Sequence, residues 1–258
     1  MTLWEIILLG IVQGLTEFLP VSSSGHLVVA NALLESLGSE PVEDLIEVSI
    51  VLHLGTLAAV LVYYWKATIR LLTSDRRLLP ILILATIPAA VVGLLISDSS
   101  LESPLLAGLM FPVTAAGLIW ASRREPGEED YRQLRPGPAL VIGLLQALAI
   151  LPGISRSGAT IVGGLGVGLQ RESATTFAFL MAIPAIAGGG LLKGIEAYQL
   201  GATSTPMGTL AVGFVVSFLV GLVALWLVIR WVQKGRLAIF AYYLVPLGVA
   251  VVVWQLLG

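Results

Sequence analysis

Apolar stretches about as long as a membrane crossing alternate along this chain with short segments that hold nearly all of its charge. Leu78–Ser97, Ser103–Ser122, Pro136–Ser155, Ser173–Leu192, Met207–Ile229 and Leu237–Gly258 contain no Asp, Glu, Lys or Arg. Each meets the roughly 20 residues that a helix needs to cross a hydrocarbon core of about 30 Å. Val48–Trp65 is slightly shorter and carries His53, and its end, Tyr63-Tyr64-Trp65, has the aromatic character of a membrane interface. The N-terminal apolar run is interrupted by Glu5, Gln13, Glu17, Pro20, Ser22, Ser23, Ser24 and His26. No basic segment precedes it, so it does not read as a cleaved signal peptide. The pattern predicts an all-α polytopic membrane protein.

Lys66, Arg70, Arg76 and Arg77 share one connection, Arg123, Arg124, Arg132 and Arg135 a second, and Arg230, Lys234 and Arg236 a third, with Arg171 alone. The positive-inside rule puts these regions in the cytoplasm. The connections around Glu35–Glu47, Asp98–Glu102 and Glu196–Met207 then face outward, as do both termini. One segment conflicts with simple counting, because the basic regions on either side of Pro136–Ser155 require the same side. The conflict is removed if Gly137–Leu151 enters the membrane, breaks at Pro152-Gly153 and returns as a short helix over Ser157–Gln170. Such a re-entrant hairpin must bury its broken backbone in protein or a wet cavity, since lipid cannot satisfy freed amides.

The two polar interruptions resemble each other. Gln13 to Gly25 aligns with Gln146 to Gly158 through Pro20/Pro152, Ser22/Ser155 and Ser24/Ser157, with a one-residue offset at the prolines. Three full-length apolar segments follow each, and an odd number inverts the second half relative to the first. The expectation is one membrane domain, 1–258, built as an inverted repeat (about 1–122 and about 136–258). It comprises six transmembrane helices plus two re-entrant helical hairpins, with a site where the broken helices meet.

Composition closes off other classes. Apolar residues make up 57% of the chain without glycine and charged residues 12%, against about 45–50% with glycine and about 25% in soluble domains. A soluble domain and a disordered chain are excluded, and a net charge of −2 gives no basic field for nucleic acid. With no cysteine there is neither a disulfide framework nor a thiolate.

The chemistry concentrates in the hairpins. The first amides of a helix after each break carry the positive end of its dipole, and two such ends converging make an anion site suited to phosphate. Ser22, Ser23, Ser24, Ser155 and Ser157 add hydroxyls, and Arg156 adds a permanent bidentate cation. An arginine at membrane depth is costly and marks function. Gln13 and Glu17, four residues apart, stack on one helix face, where Glu17 can take a proton or hold a divalent cation. His26 lies one turn after Ser23, within reach as an acid–base partner of a hydroxyl nucleophile. Plainer roles stand beside these: an intramembrane Glu17–Arg156 ion pair, serines as helix caps, and His26 rather than Ser23 attacking phosphorus. His53 reads as a helix-packing residue, and Gly163, Gly164, Gly166 and Gly168 as close-packing positions. Ile87-Pro88-Ala89 and Ile183-Pro184-Ala185 read as kinks, and Glu125–Asp130 as a solvated loop.

At this point a family resemblance becomes specific. Gln13-Gly-Leu-Thr-Glu17-Phe-Leu-Pro-Val-Ser-Ser-Ser-Gly-His26 resembles the (E/Q)xxxE-plus-Ser/His signature of the bacterial undecaprenyl-diphosphate phosphatase (bacitracin-resistance, BacA/UppP) family. Pro152-Gly-Ile-Ser-Arg-Ser-Gly-Ala-Thr160 resembles its PGxSRSxxT signature. The resemblance covers essentially the whole chain. It implies hydrolysis of a C55 isoprenyl diphosphate carrier on the outer face of the cytoplasmic membrane, recycling the lipid for cell-wall synthesis with the help of Mg²⁺ or Ca²⁺. Carried over by motif, Ser23 is the nucleophile, Glu17 and His26 assist it, and Arg156 binds phosphate with Ser22, Ser24, Ser155, Ser157 and Thr160. Glu17 and Gln13 are the metal candidates. Gln13 stands at the family's first acidic position and Ser24 where threonine is common. The expected partners are the lipid substrate and the bilayer, with a homodimer compatible and no nucleic acid. A lipid-phosphate flippase or anion transporter is the rival class, since it would use the same repeats and the same midplane site.

Overall fold

The computed structural model describes residues 2–36, 45–96, 103–200 and 205–257. Eleven α-helices follow one another: α1 Leu3–Phe18, α2 Ser23–Ser36, α3 Leu45–Tyr63, α4 Trp65–Leu72, α5 Leu78–Leu95, α6 Pro104–Arg123, α7 Pro136–Leu148, α8 Arg156–Gly166, α9 Arg171–Leu200, α10 Met207–Gln233 and α11 Ala238–Leu257. A 3₁₀ turn at Tyr131–Gln133 and an isolated parallel bridge between Glu129 and Leu169 complete the described structure. Helices α5, α6, α9, α10 and α11 are long and apolar enough to cross a membrane. Helix α3 makes a sixth span if counted with α4, which bends away from it by 79°. The protein is therefore a multi-pass, all-helical membrane protein. Pro88 and Pro184 both lie inside continuous helices.

The remaining helices are shorter than a crossing. With 16, 14, 13 and 11 residues, α1, α2, α7 and α8 reach about 24, 21, 20 and 17 Å at about 1.5 Å per residue. Thr2 starts α1 through a capping box with Glu5. The helix stops where Pro20 forces Leu19 into an extended conformation. The second break falls at 149–155, earlier than the pattern predicts on the entering side, and α8 begins at Arg156. Both ends of the α7–α8 unit return to one level: Gln170 N donates to Glu129 O at 3.0 Å, and Arg171 Nη2 to Arg124 O at 3.1 Å.

The basic connections form one face. Arg77 Nη2 donates to Arg132 O at 2.8 Å, and Ser122 Oγ to Gly235 O at 3.0 Å. Together with the Arg171–Arg124 bond, these contacts join every segment that the charge pattern assigns to a common side. Most of the residues expected opposite, 37–44, 97–102 and 201–204, lie outside the described residues.

Packing pairs the helices across the two halves. Helix α1 packs on α10 and α7 on α5, α3 packs on α10 and α9 on α5, and α6 lies against α11. Phe18, Phe111, Phe177, Phe179, Ile142 and Ile161 belong to one fully buried core that joins helices of both hairpins and the long spans.

Candidate active site

The two hairpin tips meet in the interior, and the same local device builds each. Ser22 precedes α2 and its Oγ accepts from Gly25 N at 3.3 Å; Ser155 precedes α8 and its Oγ accepts from Gly158 N at 3.1 Å. Both are N-cap bonds that satisfy an orphan amide of a first turn. Contacts across the tips are reciprocal: Gly153 N donates to Ser22 Oγ at 3.1 Å, and Ser157 Oγ donates to Leu19 O at 3.3 Å. Gly153, at φ +93°, takes the left-handed turn that glycine permits, and Thr114 of α6 clamps it by donating to its carbonyl at 2.8 Å. Ser22 adopts φ 72° despite its side chain, a cost that hydrogen bonds to Ser24, Gly25, His26 and Gly153 offset.

Glu17 is the centre of the site. It is buried, with 5% of its side chain exposed. Arg156 donates to Oε1, while Gln13 Nε2 and Ser23 Oγ each donate to Oε2 at 3.0 Å. His53 Nε2, on α3, stands 3.7 Å from the same oxygen. A carboxylate held among these donors keeps its charge where an isolated one could not. These groups open on a cavity of about 940 Å³. Its lining includes the polar Glu17, Ser23, His53, Gln146 and Arg156, and the apolar Ala89, Ala90 and Leu94 of α5 with Pro184 and Ile186 of α9.

The residues singled out in the sequence do not all gather there. Ser22, Ser24 and Ser155 line the cavity with Ser23 and Arg156, but the Ser22 and Ser155 hydroxyls already serve as caps. Ser157 and Thr160 are buried, with their hydroxyls on backbone carbonyls and away from the cavity. His26 is not brought to Ser23: Nδ1 lies 2.6 Å from Ser22 O and Nε2 2.8 Å from the Tyr243 hydroxyl, with the ring stacked on Tyr243. The imidazole near Glu17 belongs to His53, assigned above to helix packing. The signal that would have found it is a lone histidine inside an otherwise apolar span, which is expensive without a use.

Residues 6–250 match the model of the bacitracin resistance protein BacA family. The chain belongs to that family. It is 45% identical over 256 residues to the undecaprenyl-diphosphatase of Rhodopirellula baltica, covering 98% of each chain. It is 41% identical to that of Desulforudis audaxviator, again covering 98% of each. Against undecaprenyl-diphosphatase 3 of Bacillus cereus the identity is 38%, with 97% of this chain and 96% of the relative aligned. In this BacA-family chain both signature segments contribute to a single charged cluster, since Glu17 of the first holds Arg156 of the second.

Proposed function

We propose that this chain hydrolyses undecaprenyl diphosphate to undecaprenyl phosphate and inorganic phosphate, as the names of its full-length relatives state for them. The observation that carries the mechanism is the hydrogen bond from Ser23 Oγ to Glu17 Oε2. Arg156 and the first amides of α2 and α8 hold the diphosphate oxygens, which supply the anion site a transferring phosphoryl group needs. Ser23 Oγ attacks the terminal phosphorus as its proton passes to Glu17, and the bond to the bridging oxygen breaks with undecaprenyl phosphate leaving. Glu17 passes that proton to the departing undecaprenyl phosphate; it then takes a proton from the attacking water and returns it to Ser23 Oγ as the phosphoserine P–O bond breaks and phosphate is released. His53 is close enough to Glu17 to relay the proton. His26 orients the Ser22 turn through its two ring bonds.

A divalent ion is part of the proposal within limits set by the donor set. Glu17 is one carboxylate and Gln13 one amide, and among the described residues no group of three or more His, Asp or Glu stands together. Mg²⁺ suits such a site, because it uses one or two carboxylates with substrate phosphates, whereas Ca²⁺ takes six to eight oxygens. When bound it would neutralise charge on the diphosphate, with Glu17 and the Gln13 carbonyl as its protein ligands.

The proposed orientation has the basic face in the cytoplasm, the site open outward and both termini outside, with two inverted repeats. It is supported by the hydrogen-bonded basic connections and the reciprocal loop contacts. The test is phosphate release from purified protein in detergent, where no sealed compartment exists. Release by the wild type, lost in Ser23→Ala while substrate still binds, supports hydrolysis; binding without release points to a transporter. An acid-stable phosphoserine in the wild type, absent from Ser23→Ala, identifies the nucleophile; an acid-labile adduct that persists in Ser23→Ala would transfer that role to a histidine, with loss of the adduct in a His26 or His53 variant naming which. Light scattering of the same sample distinguishes a homodimer from a monomer.

A further inference from the structure

Gln146 is 2% exposed and lines the cavity, yet neither its Oε1 nor its Nε2 has a hydrogen-bond partner among the described residues. A buried amide left so is disfavoured unless something completes it. The repeat explains why it is unpartnered. Gln13, at the equivalent place in the first hairpin, donates to the carboxylate of Glu17 one turn later; one turn after Gln146 comes Ile150. The second hairpin therefore presents an amide without a carboxylate, which can donate two N–H bonds to an anion that Glu17 would repel.

We infer that Gln146 binds the phosphate that stays on the isoprenyl product, a reading that rests on the function proposed above. Attack by Ser23 puts the terminal phosphorus on the side of the first hairpin, with Arg156 between the two tips. Gln146 lies on the second hairpin one turn before Ile150, and shares the cavity lining with Ala149, Ile150 and, on α5, the apolar Ala89, Ala90 and Leu94. Helix α5 is close there, since a Cβ on Gly93 would stand 3.8 Å from Ile150 Cδ1. The tail follows this apolar wall, so the phosphate attached to it lies at Gln146.

The test is Gln146→Met, which keeps the side chain's length and removes its donors. It is assayed with undecaprenyl diphosphate in detergent, with undecaprenyl phosphate and inorganic phosphate as separate inhibitors. The expected result is a KM for the diphosphate and an inhibition constant for the lipid monophosphate both raised about 10- to 150-fold, the factor for one hydrogen bond to a charged group. Inhibition by inorganic phosphate and kcat should change little, and the melting temperature should not fall, because an unsatisfied amide is replaced by an apolar chain. Unchanged KM and monophosphate inhibition would overturn the assignment. A lowered melting temperature with kcat reduced and inorganic-phosphate inhibition weakened alongside the rise in KM would also overturn it, as a structural role. Absence of phosphate release from the wild type would instead refute the proposed function, so the two failures are distinguishable.

Discussion

Gly25→Ala tests whether contact between the two hairpin tips assembles the site, because it touches none of the proposed reacting groups. Gly25 lies in the first turn of α2, and a Cβ there would stand 2.6 Å from Gly153 N and 2.9 Å from Gly153 Cα. Ordinary contact lies near 3.5–4.0 Å, so one tip must move by about 1 Å, and the obstacle is backbone rather than a flexible side chain. Helix propensity favours alanine by about 0.8–1.0 kcal/mol. Overpacking costs about 1–3 kcal/mol, and loss of the Gly153–Ser22 hydrogen bond about 0.5–1.5 kcal/mol more. Destabilisation wins by about 0.5–3.5 kcal/mol. Catalysis is more sensitive, since a misplacement of about 1 Å can cost about 10²-fold, and Ser23 and Arg156 sit on opposite sides of this contact. The expected outcome is turnover reduced about 100-fold, with a lowered melting temperature, measured by phosphate release and thermal unfolding in one detergent. Gly208→Ala is the control: a Cβ at Gly208 of α10 would meet nothing within 4 Å, so turnover should be unchanged. Wild-type turnover in Gly25→Ala would refute the idea that the tips must touch in this register.

The charged cluster and the basic face give three more expected outcomes. Arg156→Lys keeps charge but loses the planar fork, so turnover should fall about 10- to 150-fold. Arg156→Ala should lower stability by about 3–5 kcal/mol by leaving Glu17 buried and unpaired, and Glu17→Gln in the same chain should recover part of that in a thermal melt without restoring turnover. Because the protein has no cysteine, single cysteines at Ser74 and Gln133 report sidedness cleanly. They should react with an impermeant maleimide only after the cytoplasmic side is opened, whereas Ser39 and Ser204, outside the described residues, should react in intact cells; labelling of Ser74 from outside would reverse the proposed orientation.

The run of apolar and polar positions determined the spans, the two proline-broken interruptions and the grouping of Lys and Arg, because each depends on a helix and its own solvent. Membrane thickness sets span length, a proline ends α1 locally, and loop charge chooses a side without reference to any neighbour. The likeness of the two interruptions was legible for the same reason: Ser22 with Gly25 and Ser155 with Gly158 are local caps, made within four residues. The tertiary structure alone decided which groups meet. His26 is three residues from Ser23, yet its ring turns to Tyr243 on α11, while His53 on α3 reaches Glu17. Spacing along one helix fixes an angle about that helix's axis, and His26 satisfied that requirement without entering the site. Which imidazole enters the site depends on how α3 and α11 dock on the hairpins, hundreds of ångströms of chain apart in the case of His26 and Tyr243 at about 3.3–3.6 Å per residue. Gln146 is unreadable on the same ground. Its amide has no hydrogen-bond partner among the described residues, and one turn along its own helix stands Ile150 rather than a carboxylate.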